Sequence, residues 1–160
     1  MNKTFLLTGG NIGDRRKNLD TATALIQKEI GNIIKSSGIY ETAAWGITNQ
    51  ASFYNQIHLV ESELSAEDIL QNILKIEATM GRVRTIKNAA RIIDIDILFF
   101  NEEIINKPNL IVPHPEISNR RFVLMPLSEL APGMIHPVLN KTTDELLQNC
   151  KDPLDVTYLR

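Results

Sequence analysis

The sequence predicts an α+β fold with helices packed on a mainly antiparallel sheet, and three observations support this fold class. The chain has 160 residues, the size of one domain that buries roughly two thirds of its unfolded surface. Its hydrophobic content of 43% is ordinary for a globular protein. Segments with strand-like and helical spacing follow one another without a linker or repeat, so we expect one domain over residues 1–160.

The first half of the chain has the pattern strand, helix, two strands, helix. A first strand in "KTFLLTGGN" runs into a glycine turn, and a helix capped by Asp14 follows it. Two strands are predicted over residues 32–45 and 53–62. A second helix begins at Ser65 with a capping-box-like start and ends at Gly81. The first helix places these apolar residues near helical spacing: Leu19, Ala22, Ile26 and Ile30.

The second half adds a strand in "ARIIDIDILFF", residues 90–100, and then a proline-punctuated segment with short helical pieces. A last helix is predicted in "TTDELLQNC". The order strand, helix, two strands, helix, strand fits a ferredoxin-like core. Because side chains alternate along a strand, Asp94, Asp96 and Leu98 should share one face. The opposite face should carry Ile93, Ile95, Ile97 and Phe99.

Charge and cysteine content narrow the class of partner and the compartment. A net charge of -2 and a pI near 5.9 indicate neither nucleic acid nor an anionic membrane as a partner. The single cysteine, Cys150, cannot form an internal disulfide, and the apolar runs are far shorter than the ~20 residues of a membrane-spanning helix. We therefore expect a cytoplasmic protein. We also expect a monomer.

Asp94 and Asp96 interrupt an otherwise apolar strand, one residue apart. Their carboxylates are close enough to converge on divalent cations, although from this pair alone a solvent-facing strand is the more ordinary explanation. The preceding stretch "GRVRTIKNAAR" brings four cations next to the aspartates: Arg82, Arg84, Lys87 and Arg91. Carboxylates beside arginines suggest a magnesium and phosphate site. A solvated loop held by salt bridges to the aspartates is the alternative.

A second basic segment is "VPHPEISNRRFVLMPL", in which His114 stands between two prolines. A histidine held in this way could donate to a phosphate oxygen. Capping of a helical turn at residues 116–119 is an equally good explanation. The three histidines of the chain have no zinc-like spacing.

Taken together, these motifs resemble the 6-hydroxymethyl-7,8-dihydropterin pyrophosphokinase family of folate synthesis. The resemblance covers nearly the whole chain and rests on "TGGNIGD", "YETAAWG", "FYNQIHLVES", "IEATMGRVR", "RIIDIDILFF" and "VPHPEISNRRFVLMPLSELAP". It implies a ferredoxin-like fold with three flexible loops around the active site. It also implies transfer of the pyrophosphoryl group of ATP to the hydroxymethyl oxygen of the pterin, with release of AMP.

The resemblance assigns roles by matching positions. It makes Asp94 and Asp96 ligands of two Mg²⁺ ions, and Arg82, Arg91 and Asp96 the catalytic residues, with Asp96 as the candidate proton acceptor. The residues it places on ATP are Glu77, Arg84, Arg91, Ile97, His114 and Arg120. The residues it places around the pterin are Thr42, Ala43, Trp45, Phe53, Asn55 and Phe122.

The match has departures, and two other functions stay open. The loop before Arg91 is one residue shorter than usual and lacks its tryptophan, Ala43 replaces a common proline, and Pro115 replaces a common aromatic residue. A different metal-dependent nucleotidyltransferase or nuclease would use the same carboxylates and arginines. A non-catalytic nucleotide-binding module with solvent-facing aspartates is the other alternative.

Overall fold

The computed structural model describes residues 1–43, 50–82 and 90–159, and these contain the following elements. The strands are β1 (Asn2–Gly10), β2 (Asn32–Ser36), β3 (Ile39–Thr42), β4 (Phe53–Ser62), β5 (Asp94–Phe100), β6 (Ile105–Lys107), β7 (Leu110–Val112) and β8 (Val156–Leu159). The helices are α1 (Arg15–Glu29), α2 (Ala66–Thr79), α3 (Arg121–Leu130) and α4 (Thr143–Gln148), with a 3₁₀ turn at Ile117–Asn119.

The main sheet has six strands in the order β5-β1-β4-β3-β8, with β2 also paired to β4. Every strand pair of this sheet in the described part of the chain is antiparallel. The order β5-β1-β4-β3, with α1 and α2 as crossovers, is the ferredoxin-like arrangement, so this prediction is confirmed. A second small sheet is formed by β6 and β7.

Helices cover both faces of the sheet and bury a separate apolar cluster on each. The cluster under α1 and α2 includes Leu19, Ile26 and Ile73, all at most 1% exposed. The cluster under α3 and α4 includes Leu124 and Leu127, both fully buried. Cys150 belongs to this second cluster, as a buried thiol among apolar side chains. The sheet is therefore the middle of three layers, and a polar site must lie at its edges or strand ends.

The predicted helix starts are confirmed by their hydrogen bonds. Asp14 accepts from the Lys17 N–H at the start of α1, and Ser65 accepts from the Asp68 N–H at the start of α2. The last predicted helix begins with a complete capping box at Thr142. No helix in the described ranges is both long and apolar enough to cross a membrane.

The prediction of one continuous strand over residues 32–45 is wrong, because this part of the chain contains two strands, β2 and β3. The Ser37 hydroxyl accepts from the Ile57 N–H at 2.9 Å, which replaces a backbone carbonyl and interrupts the ladder to β4. Sequence reasoning also missed the short strands β6, β7 and β8. Three or four residues without marked alternation give little periodic signal.

The strand at residues 90–100 begins later than predicted, at Asp94, and contains a bulge. Leu6 pairs with Ile97 but Phe5 pairs with Phe99, so Leu98 is an extra residue. Phe99 consequently packs in the α3 and α4 cluster, and its predicted place on the face of Ile93, Ile95 and Ile97 is wrong. The carbonyl of Leu98 accepts from the His114 N–H at 2.9 Å, which brings His114 to this strand.

Candidate active site

A cavity, here the first cavity, opens where β1, β3, β4 and β5 meet the start of α3. It contains about 550 Å³ of non-protein space, part of it open to solvent. Its lining includes these residues predicted for the site: Thr42, Ala43, Phe53, Asn55, Arg91, Asp94, Asp96, Arg120 and Phe122. The fold therefore gathers in one place residues that are up to 80 positions apart in the chain.

Asp94 is held by two arginines at the wall of this cavity. Its Oδ1 accepts from Arg82 Nη1 at 2.5 Å, and its Oδ2 accepts from Arg91 Nη1 at 2.9 Å. The sequence left open that the basic stretch only forms salt bridges with the aspartates, and the structure does show such salt bridges at Asp94. The arrangement is also one in which cationic donors already surround a carboxylate at the mouth of a cavity.

Glu77 lies behind Arg82 and is only 2% exposed. Its Oε2 accepts from Arg82 Nη1 at 2.9 Å and from the Ile95 N–H at 2.8 Å. A buried carboxylate with these partners fixes both an arginine and the strand that carries the aspartates. Arg82 Nε is buried and has no hydrogen-bond partner among the residues that the structure describes.

Asp96 lies two residues further along β5 and faces the same cavity as Asp94, as predicted. Burial, together with the negative charges of Asp94 and Glu77, raises the pKa of Asp96 to about 7 against the opposing effect of Arg120 and Arg82. The ionised form of Asp96 is therefore disfavoured, mainly by burial and also by the two neighbouring carboxylates. Such a position favours a bound cation.

Gly9 explains how Asn55 reaches the cavity. Gly9 pairs with Asn55 on one side and with Asp94 on the other, so it lies at the centre of the site. A Cβ at Gly9 would lie 2.1 Å from Asn55 Oδ1. The missing side chain at Gly9 is what allows the Asn55 amide to occupy this position.

Two aromatic residues line the cavity, each with a guanidinium near its ring. The Arg91 Cζ lies 5.3 Å from the centre of the Phe53 ring, and the Arg120 Cζ lies 5.8 Å from that of Phe122. The cavity thus combines flat apolar surfaces with cations at their edges. This combination suits a planar heterocycle that carries an anionic substituent.

A second cavity lies on the other side of Asp96. Its lining includes Leu70, Ile73, Ile97, Leu110, Ile111, His114 and Pro115. Asp96 lines both cavities. Two ligands bound side by side would therefore meet at this carboxylate.

His114 caps the following turn, because its Nδ1 accepts from the Glu116 N–H at 3.1 Å. Capping of this turn was one of the two explanations for His114 that the sequence left open, and the structure shows the capping hydrogen bond. Burial lowers the pKa of His114, with a further contribution from Arg120. Since Nδ1 is an acceptor here, the neutral ring has its proton on Nε2, which is a donor. Capping and phosphate binding are compatible in one imidazole.

Sequence reasoning missed the role of Asn11, which is buried beside the site. Its Nδ2 donates to Gln50 Oε1 and to the Ala51 carbonyl, and its Oδ1 accepts from the Arg91 N–H. One amide thus joins the start of β4 to the arginine that contacts Asp94. The only sequence signal was an asparagine after two glycines.

Two predicted site residues, Trp45 and Arg84, lie outside the described residues, as does Lys87. Glu77 contacts Arg82 and Ile95 but does not itself line either cavity. The described residues contain no group of three or more histidine, cysteine, aspartate or glutamate side chains that could hold a metal.

Comparison with known proteins decides the family. A model of the 7,8-dihydro-6-hydroxymethylpterin-pyrophosphokinase (HPPK) family matches residues 5–132. The chain belongs to this family. It is 37% identical over 145 residues to the 2-amino-4-hydroxy-6-hydroxymethyldihydropteridine pyrophosphokinase of Aquifex aeolicus, covering 91% of this chain and 90% of that enzyme.

Longer relatives contain this pyrophosphokinase domain as one part. The chain is 40% identical over 148 residues to the folic acid synthesis protein FOL1 of Dictyostelium discoideum, which covers 92% of this chain but 22% of that protein. It shares its fold, with a TM-score of 0.76 and 20% identity, with a Plasmodium falciparum HPPK-DHPS crystallised with pteroate, covering 92% of this chain and 44% of that one. The activities of the additional parts of these proteins are not transferred to this chain.

Family membership makes the chain an ATP-dependent pyrophosphokinase of folate synthesis. The reaction of the family is pyrophosphoryl transfer to hydroxymethyldihydropterin. None of these comparisons favours the nucleotidyltransferase or the non-catalytic module that the sequence left open.

Proposed function

We propose that the pterin binds in the first cavity, that the nucleotide binds in the second, and that transfer takes place beside Asp96. The observation that carries this proposal is that Asp96 lines both cavities. The hydroxymethyl oxygen of a pterin in one cavity and the phosphates of ATP in the other would then meet at one strand. Holding both reactants in this way converts a bimolecular step into an effectively unimolecular one.

The neutral part of the first cavity would recognise the pterin ring. Thr42 and Asn55 supply hydroxyl and amide groups for the donor and acceptor edge of the ring, with Ala43 beside them. Phe53 and Phe122 provide apolar surface against its faces, each worth ~1 kcal/mol beyond burial when stacked. Trp45 belongs to this proposed set through the family resemblance.

The cationic part would hold the phosphates. Arg91 and Arg120 line the first cavity, and His114 lines the second with a donor at Nε2. Arg82 adds its charge from behind Asp94, held by Glu77. Ile97 provides apolar surface near the nucleotide, and Arg84 joins this set by resemblance. These cations would neutralise charge that develops on the transferred group and on AMP.

The residues present fit magnesium. Mg²⁺ usually takes only one or two protein carboxylates and fills its other positions with water and phosphate oxygens, and Asp94 with Asp96 is such a pair. The cost of burying the Asp96 charge beside Asp94 and Glu77 supports cation binding at this point. When bound with ATP, two Mg²⁺ ions would supply positive charge against the phosphates.

The reaction proposed is in-line attack of the hydroxymethyl oxygen on the β-phosphorus of ATP. The new oxygen–phosphorus bond forms as the bond from the β-phosphorus to the oxygen of the α-phosphate breaks, and AMP leaves with that oxygen. Asp96 is placed to accept the proton of the hydroxymethyl group. Arg82 and Arg91 stabilise the charge on the transferred group from the side of Asp94.

The decisive test is to incubate the purified chain with ATP, Mg²⁺ and 6-hydroxymethyl-7,8-dihydropterin and to separate the nucleotide products. We expect AMP and the pterin diphosphate, with AMP formed only when the pterin is present. ADP, free pyrophosphate or AMP without pterin would contradict the proposal. Lys107→Met, which changes an exposed residue that lines neither cavity, serves as the control.

Three further expectations belong to this proposal. Residues 1–160 would form one domain, the chain would act as a monomer, and it would be cytoplasmic. The shared sheet with helices on both faces supports the first. Analytical ultracentrifugation of the purified chain measures the second, and a species at twice the mass would contradict it.

A further inference from the structure

The C-terminal residues 150–159 lie beyond residues 5–132, which match the family model, yet they contact two opposite walls of the first cavity. One wall is the start of α3, where Arg120 and Phe122 line the cavity. The other is β3, which ends at Thr42. The contacts to each wall are specific hydrogen bonds made by buried groups.

Asp152 makes the contacts to the α3 wall and is only 5% exposed. Its Oδ2 accepts from the N–H of Arg121 at 3.1 Å, the first residue of α3. Arg120, the N-cap residue, provides no side-chain cap, so Asp152 satisfies one of the donors that a helix start leaves free. Arg121 Nη1 and Nη2 in turn donate to the carbonyls of Asp152 and Cys150.

The same carboxylate turns the chain towards the second wall. Asp152 Oδ1 accepts from the Leu154 N–H at 3.0 Å, and the next residue, Asp155, presents its carbonyl to Thr42 Oγ1 at 3.1 Å. Since a carbonyl is only an acceptor, the Thr42 hydroxyl donates its proton here. Towards a ligand, that hydroxyl is then restricted to accepting a hydrogen bond.

Beyond Asp155 the chain continues as β8 and pairs with β3 over four residues, from Thr42 with Val156 to Ile39 with Leu159. Tyr158 packs edge-on against Tyr40, with ring centres 5.2 Å apart. Strand β3 would otherwise be the edge of the sheet on this side. The C-terminal residues therefore fix both the backbone and the hydroxyl of Thr42.

We propose that the C-terminal segment, residues 150–159, positions the pterin cavity, with Asp152 as the positioning residue that joins its two walls. No residue of this described segment lines the second cavity, so its effect should fall on the pterin and not on ATP. By holding the hydroxyl of Thr42 as an acceptor, it selects a ligand that offers an N–H group at this point. This inference rests on the proposed binding of the pterin in the first cavity.

The test measures two dissociation constants by calorimetry for each full-length variant, one for 6-hydroxymethylpterin and one for a non-hydrolysable ATP analogue with Mg²⁺. We expect Asp152→Asn to weaken pterin binding about tenfold. The NH₂ group of the asparagine would face the N–H of either Arg121 or Leu154, and two donors cannot form a hydrogen bond with each other. The affinity for the ATP analogue should stay within about twofold. Thr157→Val, an exposed position on β8, is the matched control and should change neither constant.

Tyr158→Ala is a second variant that keeps the test informative if Asp152→Asn fails to fold. It removes the contact with Tyr40 and should weaken pterin binding about threefold without affecting the ATP analogue. A lower melting temperature with both dissociation constants unchanged would overturn the inference, because it would show a structural role alone. Wild-type protein that binds no pterin would instead contradict the proposed function.

Discussion

His58 on β4 and the two aspartates on β5 are ionisable side chains of one sheet, and the fold treats their charge in different ways. His58 on β4 is fully buried between Thr23 and Ser36, whose hydroxyls lie 3.2 Å from Nε2 and 2.7 Å from Nδ1. Burial lowers the pKa of His58 to about 4, so the ring is neutral at physiological pH. The fold keeps this polar group by removing its charge and satisfying both ring nitrogens.

The aspartates of β5 are treated differently, because Asp94 is paired with cations and Asp96, despite its burial, still ionises near neutral pH. Asp94 is paired with Arg82 and Arg91, while Asp96 carries a raised pKa beside two other carboxylates. Uncompensated charge near a buried carboxylate costs free energy of folding. The contrast is between a neutral histidine in the core and a cluster of charged side chains at the cavity, and each prediction below tests one side of it.

The largest effect is expected for Asp96→Asn. The substitution keeps the shape but removes the charge, so the rate of AMP formation should fall by at least ~10³-fold. The free energy of unfolding of the metal-free protein should increase, although the activity falls. Folding raises the pKa of Asp96 from 3.8 to about 7, which costs stability as the pH rises through this range.

In metal-free protein at pH 8, Asp96→Asn should therefore increase the free energy of unfolding by on the order of 2–4 kcal/mol. Urea denaturation in the presence of a chelator measures this. A variant that is both inactive and less stable would show that Asp96 has a structural role, contrary to the account.

The next effect concerns the buried pair of Arg82 and Glu77. Arg82→Met keeps much of the side-chain volume but removes the ion pairs that Arg82 makes with Glu77 and Asp94, so the free energy of unfolding should fall by about 3 kcal/mol. The double variant Glu77→Gln with Arg82→Met should recover part of that loss. Denaturation curves of the single and double variants provide the measurement.

Lys107→Met is the matched control, because it breaks the exposed ion pair with Glu67. Such a pair contributes about 0–1 kcal/mol. Equal losses for Arg82→Met and Lys107→Met would mean that the charged cluster under the cavity has no special energetic role.

His58 tests the neutral side of the comparison through pH. In the unfolded chain a histidine titrates near pH 6.5, while folded His58 titrates at about 4. As the pH falls below 6.5, the unfolded state binds a proton that the folded state does not, so stability decreases until about pH 4. At pH 5 this loss should be on the order of 2 kcal/mol relative to pH 8.

His58→Gln removes the titrating group and should lack this part of the pH dependence. The measurement is the free energy of unfolding of both proteins at pH 8 and pH 5. If the free energy of unfolding decreases by the same amount in both proteins between pH 8 and pH 5, His58 is not held neutral by burial.

The smallest effect is expected on the neutral wall of the site. Gly9→Ala would place a Cβ 2.1 Å from Asn55 Oδ1 and displace the amide. The KM for the pterin should rise about tenfold while the KM for ATP is unchanged, since a displacement of ~1 Å can cost this much or more. Gly133→Ala, where a Cβ would have nothing within 4 Å, is the control. A parallel rise in both KM values would contradict the separation of the two cavities.

Much of this fold follows from local signals in the sequence. Helices α1 and α2 could be predicted because Asp14 and Ser65 cap apolar residues at helical spacing. The bulge at Leu98 could not, because it depends on pairing with β1 and on the Leu98 carbonyl binding the His114 N–H. Strand β8 is similarly determined by its partner β3.

The site shows the same division. The common face of Asp94 and Asp96 follows from strand alternation, and the gathering of Asn55, Arg91 and Phe122 around it followed only from the family resemblance. The network of Asn11 could not be predicted, because an asparagine in a turn has many local explanations. The burial of Glu77 likewise could not be predicted, because it depends on how α2 packs against the sheet.

The most direct test is a crystal structure with 6-hydroxymethyl-7,8-dihydropterin, Mg²⁺ and a non-hydrolysable ATP analogue. The proposed function predicts the pterin in the cavity of Thr42, Asn55 and Phe122 and the nucleotide beside Ile97 and His114. It also predicts cations at Asp94 and Asp96. A pterin bound beside His114, or phosphates that do not reach Asp96, would contradict it.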